Sequence, residues 1–335
     1  MSTAMAKREA AAFMARVRHH AHAPGPVPEG RVEQLAYGLA LPFLGLRVML
    51  RDPELRSDAI LPAACLLAWC ALAASFASAT GPIDALPLVG PVAGWLLRFF
   101  AAMIALAPIP SIVFVRHYAR MAAKARNTLG LGPRAPYQRG LGAAFKEAVL
   151  KVSAIALGIL PLVLLGELLP AVGKAIVGIV GAVWTLHWIA VEALDGARTL
   201  APGDTVKASE LREAAAARTV WFGRIYKVEV GGQWAPLLAP VRAFGRLVAW
   251  LGRSWSGELE VLEGRPPLAV GFALGVGVLL GIPGLNLLLR PAVTIAAANL
   301  LGQLERAEQP PALAEAAATE PDPLARPSEP PAREP

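Results

Sequence analysis

Apolar residues in this chain fall into long blocks separated by short polar breaks, and the block from Pro266 to Leu301 sets the terms for the others. It is two apolar runs joined by Ile282-Pro283-Gly284-Leu285-Asn286. The first, Leu268 to Gly281, carries no charge, and at about 1.5 Å per residue it falls short of a hydrocarbon core of roughly 30 Å. The second, Leu287 to Leu301, contains Arg290. A Pro-Gly-Asn turn at membrane depth must be covered by protein or face water, because lipid satisfies no freed backbone groups. The pair therefore reads as a squeezed spanning hairpin or as a re-entrant element beside a polar cavity. Four further runs have the length of membrane spans: Ile60 to Ala79, Val92 to Val115, Val149 to Leu168 and Ala175 to Ala193. The expected fold class is all-α, a polytopic integral membrane protein built of helical hairpins, some of them re-entrant.

Between and around these runs the pattern changes. Residues 1–30 read as a flexible lead-in, and His19, His20 and His22 within it form no convincing metal set. Arg31 to Arg51 mixes apolar turns with Arg47 and Arg51, the signature of an interfacial helix, and Asp52-Pro53 breaks it. Pro108 and Pro110 predict a kink near the end of the Val92 run. Asp195 to Arg265 is the longest polar stretch. Within it Val206 to Arg218 predicts a polar helix, and Arg224 to Trp234, with Gly231-Gly232, gives a hairpin signal. In Leu237 to Trp255, Arg242, Arg246 and Arg253 share one helical face. Val241, Phe244, Val248, Leu251 and Trp255 share the other. Such a helix lies in a headgroup layer with its apolar face in lipid, or else packs that face as the core of a small insert. Past Gln303 an Ala-, Pro- and Glu-rich tail has no apolar face and is expected to be disordered. The domains are thus 1–30, a helical membrane domain over 31–303 with a cytoplasmic insert at about 196–265, and the tail 304–335.

Composition fits: 55% of residues are hydrophobic and 17% charged, with a mean hydropathy of +0.49. The net charge of +7 would point to nucleic acid in a soluble protein, but here it sorts by side. Basic residues gather in Lys7 to Arg56, Arg116 to Lys151, Arg198 to Arg265 and Arg290 to Arg333, leaving only Arg98 and Lys174 between. The positive-inside rule then places both termini in the cytoplasm, makes the lipid bilayer the partner, and removes the case for nucleic acid. The lead-in has no apolar core of a cleavable signal. Cys65 and Cys70 share one apolar run and read as packing residues.

Charged groups inside apolar runs are the sharpest chemical signals, since an arginine at a helix centre costs at least about 2.5 kcal/mol on insertion scales. Arg98 reads as an anion-attracting charge or as a snorkelling one. Asn286, Arg290 and Thr294 share a helical face that either lines a pathway or joins helices. Glu167 reads as a solvated end residue, and His187 and Glu192 as a weakly aligned pair. Gly271 with Gly275, and Gly277 with Gly281, repeat the spacing that brings helices close. No zinc-protease, phosphate-loop or Cys-cluster motif is present, so neither an enzyme nor a cofactor is expected.

Two stretches carry a family resemblance. The run with Ile282, Pro283, Asn286, Pro291, Val293 and Ala297 resembles the C-terminal signature of CysZ-type sulfate permeases and their etoposide-induced relatives. Gly45-Leu46-Arg47, Pro53-Glu54-Leu55-Arg56 and Ile60-Leu61-Pro62 are similar to that family's N-terminal entry into its first membrane helix, and Glu192 to Asp195 is a weaker match. The resemblance implies hairpins that partly penetrate the bacterial inner (plasma) membrane and a small inorganic anion such as sulfate as substrate. It also implies an anion site at Gly45, Leu46 and Arg47, and a homo-oligomer. The alternative is a non-transporting scaffold or regulatory protein that recruits partners through its basic insert and its tail.

Overall fold

The computed structural model describes residues 3–76, 90–105, 112–168, 173–209, 239–281 and 285–308. Its elements in chain order are α1 (Thr3–His20), α2 (Arg31–Arg51), α3 (Pro53–Phe76), α4 (Gly90–Ala105), α5 (Val115–Thr128), β1 (Ala135–Pro136), α6 (Leu141–Leu168) and α7 (Gly173–Asp195). There follow β2 (Thr199–Leu200), α8 (Ala239–Gly252), a 3-10 turn (Arg253–Trp255), α9 (Ser256–Gly264), α10 (Pro266–Leu280) and α11 (Leu285–Glu308). The only sheet among the described residues is the two-residue antiparallel ladder of β1 with β2, pairing Ala135 with Leu200 and Pro136 with Thr199.

Among the described residues, two helices are long and apolar enough to cross a membrane, α3 and α7. A third span results if Arg242–Gly264 and Pro266–Leu280, bent by 108°, count as one. The 15 residues of α10 extend only about 22 Å, and the turn over 282–284 lies outside the described residues. So do the proline kink at Pro108 and Pro110, the Gly231-Gly232 signal and most of the predicted Val206–Arg218 helix.

The centre of the fold is α2, whose apolar turns, expected to meet a bilayer surface, pack against other helices. Its two glycines sit where other helices cross. Gly38 faces the backbone of Leu268 and Phe272, and Gly45 that of Ala292 and Ala296. From the other side, Gly271 faces Leu35 and Leu39 and Gly275 faces Leu39 and Pro42. A Cβ on Gly38 would lie 2.7 Å from Phe272 N, and one on Gly45 2.9 Å from Ala296 N. Only glycine permits main chains this close. Tyr37, Leu41, Leu44 and Met49 of α2 are buried in the same core as Phe272, Val276 and Ala292 to Ala298. The apolar turns between arginines thus face protein.

Three further boundaries shift. Residues 3–20, expected to be flexible, form α1, which lays Phe13 and Val17 on α2. It is pinned through Glu33, which accepts from Arg16 at 3.0 Å and His20 at 3.3 Å. The apolar face of α8 is not in lipid: Val248, Leu251 and Trp255 are buried in the main core, and Trp255 stacks edge-on against Trp188 of α7 at 5.9 Å. At the other end, α11 continues past Gln303. Its Glu305 takes Arg126 at 2.6 Å and Arg134 at 2.9 Å.

Candidate functional site

Charges that look scattered along the chain meet where α5, α6, α7 and α11 converge. Glu147 and Lys151, one turn apart on α6, face the end of α7, which presents Glu192 and Asp195 at the same one-turn spacing. The β1–β2 ladder brings Tyr137 and Arg139 alongside Arg198. Tyr118 of α5 and Arg290, Val293 and Thr294 of α11 complete the wall. They line a partly open cavity of about 120 Å³, room for several waters or one small polyatomic ion.

Most of these charges are tied down. Asp195 accepts from Arg139 at 2.7 Å and from Lys151 at 3.2 Å, with Arg198 4.0 Å away. Arg139 also reaches Glu147 at 2.5 Å, and Arg198 reaches the buried Glu258 of α9 at 3.3 Å. Burial works against the Arg139 charge, but Asp195 and Glu147 hold its guanidinium above the ordinary arginine value. The Tyr137 ring lies between two guanidiniums, Arg139 at 4.7 Å and Arg198 at 4.5 Å, and Lys151 sits 5.2 Å over the Trp255 ring. A network this dry is held by mutual pairing, and removing one member leaves a buried charge uncompensated.

The upper part of the cavity is looser. Arg290 Nη1 meets Glu192 Oε1 at 3.3 Å, and the Glu192 side chain is 34% exposed against 9% for Asp195. Beside them the Tyr118 hydroxyl is buried with no hydrogen-bond partner. Burial pushes its phenol up, with Arg290 opposing and Glu192 reinforcing, so it is a neutral donor at physiological pH. Thr294 donates to the Arg290 carbonyl at 3.4 Å. Counting Glu258, four cations face four carboxylates, so an anion gains a surplus positive charge only when a carboxylate moves aside or is neutralised.

The residues singled out from sequence separate. Arg290 and Thr294 line the cavity. The Asn286 side chain lies outside the described residues. Arg98 does not line the cavity; its Nε donates to the Ala74 carbonyl at 3.3 Å, joining α4 to α3. Gly45 is occupied by the α2–α11 contact, which leaves no room for an anion at its Cα. Leu46 packs against the core, and Arg47 is half-buried with Nη1 out of hydrogen-bond reach, neither of them in the cavity wall. Sequence reading did not select Tyr118, Tyr137, Arg139, Glu147, Lys151 or Arg198. The usable signal was the one-turn spacing of Glu147 with Lys151 at the mouth of an apolar run. Among the described residues no group of three or more His, Cys, Asp or Glu side chains is arranged to hold a metal. No protein-family model, curated protein or solved structure matches this chain.

Proposed function

We propose that this chain is an all-helical, multi-pass protein of the bacterial inner membrane, both termini cytoplasmic, that binds a small oxyanion such as sulfate in the Tyr118–Arg290 cavity and moves or senses it. The observation that carries the reading is the unpartnered, buried Tyr118 hydroxyl next to Arg290. A neutral donor and a guanidinium in a small, polar-lined cavity are the equipment for holding an oxyanion by charge-assisted hydrogen bonds. The apolar lengths of α3 and α7 support the membrane setting, and the resemblance to CysZ-type permeases agrees in substrate class. The anion site is assigned here to Arg290, Tyr118 and Thr294 in place of Gly45, Leu46 and Arg47. No catalytic step is assigned, and a homo-oligomer remains part of the proposal.

Uptake of labelled sulfate into proteoliposomes tests it, with R290Q as the cavity variant and R98A as a variant away from the cavity. Uptake in wild type and R98A, lost in R290Q, is the expected result. Saturable binding without uptake would assign sensing, and neither binding nor uptake would overturn the reading.

A further inference from the structure

We infer that the solvent-side face of α8 is a binding site for the headgroup of an anionic phospholipid. The face is not the one that amphipathicity alone selects, because Val248, Leu251 and Trp255 are consumed by the core. What is left outward is a column running from α8 into the 3-10 turn, in which Arg246, Trp250 and Arg253 follow one another at i, i+4 and i+7, all exposed. Trp250 is 49% exposed and Leu247 beside it 44%. The Arg253 guanidinium sits over the Trp250 ring at 5.1 Å. No acidic residue occurs from Ala239 to Trp255, while Arg242 adds a third base on the same helix.

An indole and a leucine left open to water are unfavourable, and next to acyl chains they are not. Two guanidiniums, one turn above and one turn below the indole, fit a phosphodiester whose chains lie along Trp250 and Leu247. Charge complementarity selects an anionic lipid over a zwitterionic one, since a choline cation would meet the same arginines. The inference shares the membrane setting of the proposed function but none of its cavity residues.

Equilibrium binding of labelled dioctanoyl phosphatidylglycerol and dioctanoyl phosphatidylcholine to the purified full chain in neutral detergent tests it. Wild type is expected to prefer phosphatidylglycerol by about tenfold or more, and R246Q/R253Q to lose on the order of 20-fold for that lipid alone. W250A should weaken both lipids, and R246K/R253K, which keeps the charge, should retain the preference. All these side chains are exposed, so helix content and unfolding temperature should match wild type. Equal affinity for the two lipids in wild type, or an undiminished preference in R246Q/R253Q, would overturn the inference. So would competition by glycerol phosphate as effective as the lipid, which would assign a soluble anion instead.

Discussion

The crossing of α2 with α10 and α11 and the charged junction of α5, α6 and α7 solve opposite packing problems. At the crossing, four glycines let main chains touch, and the neighbouring core side chains are uncharged, so close packing fixes the register. At the junction, side chains are long and charged, and a cavity of about 120 Å³ survives among them. The first region has nothing to offer a ligand and much to lose from one added methyl. The second has a ligand's worth of space because charges held by mutual pairing cannot collapse onto one another. Rigidity at the crossing therefore holds α11, and with it Arg290 and Thr294, against the looser junction.

The sharpest way to break the junction is D195N. It deprives Arg139 and Lys151 of their shared carboxylate and should cost about 3–5 kcal/mol in unfolding of the purified protein. D195N/R139Q should be less destabilised than the sum of the single variants, as expected of coupled partners. The crossing breaks through volume. G271V drives a side chain into the backbone at Leu35 and Leu39 and should lose about 1–3 kcal/mol or fail to fold. G178V on α7, where nothing lies within 4 Å, should be nearly silent.

A smaller effect sharpens the link between the two regions. Asp52 follows α2 and caps α3, accepting from Glu54 N at 2.9 Å and Leu55 N at 3.1 Å. Its other oxygen takes the Thr128 hydroxyl of α5 at 2.8 Å. Burial pushes the Asp52 carboxyl up, but these hydrogen bonds and nearby Lys124 outweigh it and hold it below the ordinary carboxylate range. A carboxyl depressed on folding stabilises above its unfolded value near 4 and loses that stabilisation as pH falls through its folded value. D52A should thus cost about 1 kcal/mol at pH 7, and that cost should begin to shrink only as the pH falls below about 4.

The crossing was the more legible region, and the reason is physical. Period-four glycines in an apolar run, Gly271 with Gly275, signal close helix approach from local spacing alone. The same local view did not reveal the partner helix. Arg47 and Arg51 at one end of an apolar helix looked interfacial, whereas Gly38 and Gly45 on that helix placed it at the centre. For α8, periodicity revealed an apolar face without revealing what covers it. The junction was nearly invisible because its members are far apart in sequence: Arg139 and Asp195 belong to different polar segments, and each looks like a solvated end charge until the chain folds. Arg290 and Thr294 were readable because their charge and hydroxyl interrupt an apolar run. Arg98 gave the same signal and sits elsewhere, since the pattern reports that a charge must be accommodated and not where.

The central claim is that the Tyr118–Arg290 cavity holds an oxyanion, and equilibrium binding of labelled sulfate to the purified full chain tests it most directly. Wild type should bind saturably. Y118F should weaken binding about tenfold through loss of one charge-assisted hydrogen bond, and R290Q should abolish it. E192Q should tighten it by about fivefold, because it frees Arg290 from its internal carboxylate. Absence of saturable binding in wild type, or affinity unchanged by R290Q and Y118F, would contradict the claim.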